Sequence, residues 1–140
     1  MSEKKKVLII DDDPDYVAAI SALLEGSGYE VSRATNGTEG LDMAKTLRPD
    51  LILLDVMMTE RTEGFFVLQS MRSVPALAGV PIVIASSVYS EYPHFRVNPQ
   101  AGWLPADQFL TKPIDPETLL SEVERLISAP RAAAPGNKTA

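Results

Sequence analysis

The sequence contains no cysteine, which removes disulfide scaffolds, thiolate catalysis and cysteine-ligated zinc at once. It has a single histidine and a single tryptophan, so a histidine-rich metal site is also excluded. No apolar run approaches the ~18 residues needed to cross a bilayer. The opening "MSEKKK" lacks the apolar segment of a secretory leader, and a cytoplasmic protein with no membrane insertion is expected. Basic residues are in deficit: 13 Lys and Arg stand against 19 Asp and Glu, a formal charge of -6. That balance disfavours direct nucleic-acid binding, and Lys4 to Lys6 alone read as a solvated end.

What is present is globular. With 45% hydrophobic and 23% charged residues over 140 positions, the chain suits one domain with a real core. "KKVLII" (Lys5 to Ile10) reads as a doubly buried strand halted by acids. Pro14 then starts a helix whose apolar positions Val17, Ile20, Leu23 and Leu24 run to Gly26 and Gly28. "YEVSRA" (Tyr29 to Ala34) is a second strand. Asn36-Gly37 turns the chain into a helix carrying Leu41, Ala44 and Leu47, which ends before Pro49. "DLILLD" (Asp50 to Asp55) is the most apolar strand, followed by a helix with Phe65, Leu68 and Met71. "VPIVIAS" (Val80 to Ser86) and "QFLT" (Gln108 to Thr111) supply strands four and five. Asp115 caps a last helix beginning at Pro116, with Leu119, Leu120, Val123, Leu126 and Ile127 on one face. The domain is expected over 1–128 and a mobile tail over 129–140.

Alternating strands and helices predict a parallel sheet covered on both faces, with chemistry at the carboxyl ends of the strands. Those ends deliver Asp11, Asp12 and Asp13 from strand one, Asp55 from strand three, Ser86 from strand four and Lys112 after strand five. Taken singly, each acid reads as a helix cap or a strand terminus. As a set they point elsewhere: clustered carboxylates cannot all ionise without a cation, and Mg²⁺ suits oxygen ligands of this kind. Asp55 beside that metal is a candidate phosphoryl acceptor, with Lys112 as point charge and Ser86 as hydrogen-bond donor.

In order along the chain, "VLIIDDDP", "DLILLDVMM", "PIVIASS" and "FLTKPI" resemble the receiver domain of two-component response regulators, over about Val7 to Ile127. The resemblance implies a flavodoxin-like, doubly wound (βα)5 fold with a five-stranded parallel sheet in the order 2-1-3-4-5. It further implies that Asp11 and Asp12 form the acid pocket with Asp13 facing outward. Asp55 becomes the phosphoacceptor, the Met57 backbone carbonyl a further Mg²⁺ ligand, Ser86 the switch hydroxyl and Phe109 the switch aromatic. Lys112 is then the family's lysine, preceding a cis peptide to Pro113. The implied partners are a histidine kinase or phosphotransfer protein and a downstream protein target, the receiver itself being a monomer or weak dimer. Turnover would be confined to its own aspartyl-phosphate, and with no output domain after Ile127 the signal leaves by protein-protein interaction.

Two stretches depart from the family pattern. Thr59 stands where proline usually follows the methionines, and the interval from Ser86 to Lys112 is longer than usual. Pro93, Pro99 and Pro105 forbid one regular helix there, so an irregular segment is expected in place of the fourth helix. Its aromatic residues, with Trp103 among them, either staple the 88–106 loop to the core or form a docking surface. His94 lies in this loop without an acidic neighbour and reads as structural.

Three other functions compete. A dehalogenase-like phosphatase would use Asp11 and Asp13, but beyond Lys112 only Asp115 is available to complete its metal site. A calcium loop through Asp11, Asp13 and Asp15 fails, because Tyr16 and Ala22 fall where glycine and glutamate are required. A pseudo-receiver that binds without phosphorylation is disfavoured by retention of the full acid, hydroxyl and lysine set.

Overall fold

The computed structural model describes residues 4–55, 63–86, 107–112 and 114–128, excluding the side chains at 63–66, 86, 109 and 111. Five strands form one parallel sheet: β1 (Lys6–Ile10), β2 (Glu30–Ala34), β3 (Leu51–Leu54), β4 (Ile82–Ser86) and β5 (Gln108–Thr111), in the order β2-β1-β3-β4-β5. The described helices are α1 (Pro14–Gly26), α2 (Gly37–Leu47), α3 (Glu63–Ser73) and α4 (Pro116–Ser128), with a 3₁₀ turn at Pro75–Leu77. This is the expected doubly wound, flavodoxin-like α/β fold. The irregular segment expected in place of the family's fourth helix, with His94 and Trp103, lies outside the described residues. So do Met57, Thr59, Pro113 and the 129–140 tail.

Alternation along the strands builds two cores. Leu8, Ile10, Ile52, Leu54, Ile82 and Ile84 face α2 and α3, while Val7, Ile9, Leu51, Leu53 and Val83 face α1 and α4. Leu51 to Leu54 are at most 1% exposed, and burial of each such side chain contributes about 2 kcal/mol. β3 is central and needs apolar residues on both faces, whereas edge strand β2 keeps only Ala34 fully buried.

Local signals account for the helix boundaries. The Asp13 carboxylate caps α1 by accepting the amides of Asp15 and Tyr16, with Pro14 in the first turn. At the other end the Gly28 amide donates to the Glu25 carbonyl and the Tyr29 amide to the Leu24 carbonyl. That closure requires the positive φ of 98° at Gly28, which glycine adopts without strain. Asn36 caps α2 through the Glu39 amide, and Asp115 caps α4 through the Thr118 amide. Strand four starts two residues later than the apolar run suggests, because Val80 and Pro81 complete the turn leading from the 3₁₀ segment. Among the described residues no helix is long and apolar enough to cross a membrane.

Candidate functional site

The sheet register assembles the acids. Ile10 pairs with Ala34 on one side and Leu54 on the other, so β1 and β3 end level and their next residues emerge side by side. The Asp11 amide donates to the Ala34 carbonyl at 3.0 Å and the Asp55 amide to the Ile10 carbonyl at 2.9 Å. Each acid therefore leaves the last rung of the ladder with its backbone held. One carboxylate oxygen from each of Asp11, Asp12 and Asp55 lies within 4.8 Å of the others. Asp11 and Asp55 are buried, at 2% and 6% exposure, while Asp12 is exposed. Beside Asp12 an open cleft of about 340 Å³ continues between α1 and the end of β2, past Arg33 and Thr35.

Lys112, the first residue beyond β5, crosses to this group. Its Nζ donates to Asp11 Oδ2 at 2.8 Å and to Asp55 Oδ2 at 3.4 Å, and it sits 4.0 Å from the centroid of the Tyr16 ring. Burial pushes the Asp11 carboxyl above the usual carboxylate range. The Lys112 ammonium and the Asp13 amide, which donates to Asp11 Oδ1 at 2.9 Å, pull it back, and neighbouring Asp55 pushes it up further. The Tyr16 phenol is likewise pushed up, chiefly by burial and then by Asp11, Asp55 and Asp13.

Among the described residues, the Lys112 ammonium meets two of the three clustered carboxylates. The donors are all oxygen and one of the three is open to solvent, a combination that fits a hard divalent cation such as Mg²⁺ better than a softer metal.

Not every strand-end acid joins the cluster. The Asp13 carboxylate is committed to the α1 cap, which leaves the phosphatase pairing of Asp11 with Asp13 without its second member. Asp15 lies exposed in the first turn of α1. Ser86 ends β4 opposite Thr111, and Phe109 pairs with Ile84. The side chains of Ser86 and Phe109 fall outside the described residues. Tyr16 was not singled out from the sequence. The signal was available in its position, since the first turn after the acid run hangs over the carboxyl edge of the sheet.

The response regulator receiver domain family matches residues 7–124. The DNA-binding dual master transcriptional regulator RpaA of Synechocystis is 36% identical over 87% of this chain, which spans 48% of that relative's length. Protein PilH of Pseudomonas aeruginosa is 29% identical, with 88% of this chain and 98% of PilH aligned. Among solved structures, the chemotaxis response regulator CheY4 of Vibrio cholerae superposes with a TM-score of 0.74 at 30% identity, covering 89% of this chain and 99% of CheY4. With this sheet order and these acids at its carboxyl edge, the chain belongs to the response regulator receiver domains of two-component signalling.

Proposed function

We propose that Asp55 accepts a phosphoryl group from a histidine kinase or phosphotransfer protein, and that the phosphorylated domain signals by binding a downstream protein. The observation that carries this reading is the placement of Asp55. It is buried at the end of the central strand, 3.4 Å from the Lys112 ammonium and within reach of two further carboxylates.

Asp11, Asp12 and Asp55 would hold Mg²⁺, with the Met57 carbonyl as a further ligand from the family pattern. When bound, the ion supplies positive charge against the phosphoryl oxygens. The chain's own residues do the rest. A carboxylate oxygen of Asp55 attacks phosphorus, and the bond from phosphorus to the donor nitrogen or oxygen breaks with its electron pair going to the donor. Lys112 offsets charge on the transferred group, because its ammonium already lies between the acids and needs little reorganisation. Burial of Asp55 limits water around the acyl-phosphate. Ser86 and Phe109 are assigned as switch hydroxyl and switch aromatic, and the 88–106 loop between them as the segment that changes on activation. The phosphoryl group would turn over only on Asp55 itself.

Incubation with acetyl phosphate and Mg²⁺ should add one phosphoryl group by intact mass and none to Asp55→Asn. Equal labelling of the two would refute Asp55 as the acceptor.

A further inference from the structure

Tyr16 occupies the third position of α1, directly above the carboxyl edge of the sheet. Its backbone amide is held at 3.2 Å by the capping carboxylate of Asp13, so the root of the side chain is fixed by the neighbouring acid. The ring packs against the α1 and α4 side of the core, and its face lies 4.0 Å from the Lys112 nitrogen. An ammonium carries three donors. Two of them have carboxylate oxygens at 2.8 and 3.4 Å, and the negative face of the ring adds a third attractive contact to the cation.

The hydroxyl points to the same role for the ring. Tyr16 Oη is buried and, among the described residues, has no hydrogen-bond partner, and an unpaired buried hydroxyl is unfavourable. The phenol oxygen therefore does not hold the side chain there. What the position uses is the aromatic face.

We propose that the Tyr16 ring is a platform for the Lys112 ammonium, which makes Tyr16 a positioning residue for phosphoryl acceptance at Asp55. A lysine has four rotatable carbons, and two carboxylates on one side leave its ammonium free to swing toward solvent. The ring closes that side and keeps the charge over Asp11 and Asp55. Through its cap Asp13 acts one step further back, by fixing the turn from which Tyr16 projects. The inference rests on the reading of Asp55 as acceptor.

The test is the rate of Asp55 labelling by acetyl phosphate and Mg²⁺, a small donor that requires no docking partner. Tyr16→Leu keeps apolar bulk and loses the ring face, and it should slow labelling by about three- to thirtyfold. Tyr16→Phe should recover the rate. In a Lys112→Ala background Tyr16→Leu should slow labelling no further, because the platform then has nothing to hold. Since Tyr16→Leu could disturb folding, a near-isosteric pair is measured beside it. Replacing Tyr16 by phenylalanine and by trifluorophenylalanine weakens the ring face at nearly constant shape, and the rate should fall with fluorination. Equal rates across the fluorinated pair, or a Tyr16→Leu defect that persists without Lys112, would overturn the platform. Failure of the acceptor reading looks different: the native protein would not be labelled, or Asp55→Asn would be labelled equally.

Discussion

Strand β5 is four residues long and is flanked by an ion pair at each end. Before it, Asp107 meets Arg72 of α3 at 2.9 Å; after it, Lys112 meets Asp11 at 2.8 Å. The two ends are resolved differently. Arg72 also donates to the carbonyls of Ala78 and Val80 at 2.9 and 2.7 Å, and Asp107 accepts the Ile82 amide at 2.8 Å. The guanidinium there binds the helix end, the 3₁₀ turn and two strand starts together. Burial pulls the Arg72 guanidinium below its ordinary value, and Asp107 opposes that shift. At the other end the Lys112 ammonium is shared by Asp11 and Asp55, and Asp12 brings a third carboxylate within 4.8 Å of both. One end of the strand is a structural joint tied to main-chain groups, and the other gathers carboxylates whose oxygens lie close enough together to hold a cation.

The sharpest way to break the contrast is Arg72→Ala. It removes the donor to the Ala78 and Val80 carbonyls and leaves Asp107 with only the Ile82 amide named above, and should lower stability by about 3 kcal/mol in urea unfolding, with no recovery on adding Mg²⁺. Recovery by Mg²⁺ would show that the two ends are not independent. Next in size is Lys112→Met, which removes the ammonium that buried Asp11 and Asp55 share. A loss of about 2 kcal/mol is expected in metal-free buffer, and here Mg²⁺ should restore most of it, as read by melting temperature with and without the ion. The smallest effect has the opposite sign. Asp12→Ala removes one repelling carboxylate and should stabilise the metal-free protein by about 1 kcal/mol while abolishing its melting response to Mg²⁺. A response surviving in Asp12→Ala would move the ion away from this cluster.

The carboxyl end of β5, beside the acid cluster, was far more legible in the sequence than its amino end. Asp11, Asp12, Asp55 and Lys112 stand immediately after apolar runs, and a parallel sheet brings the carboxyl ends of its strands to one edge whatever the loops do. Residue type and topology together therefore located the cluster. Arg72 and Asp107 left no comparable trace, because the partners of the guanidinium are mostly main-chain carbonyls of a turn whose path depends on tertiary packing. Tyr16 was missed for a related reason. Its side chain matters through the face of a ring, and one aromatic in the first turn of an amphipathic helix reads as part of the apolar stripe. The outward-facing Asp13 that the resemblance implied is found as the cap of α1, its carboxylate accepting the Asp15 and Tyr16 amides.

Lys112 lies 101 positions from Asp11 and 57 from Asp55, and that separation has a consequence during synthesis. A chain growing from its amino end makes all three acids long before the lysine that compensates them. At about 5 to 20 residues per second the interval between Asp55 and Lys112 lasts several seconds. Over that time β1 and β3 can pair, but the ammonium and the fifth strand are missing. A nascent chain therefore presents Asp11, Asp12 and Asp55 before the ammonium that two of them share has been made, and that pairing is completed only when β5 docks.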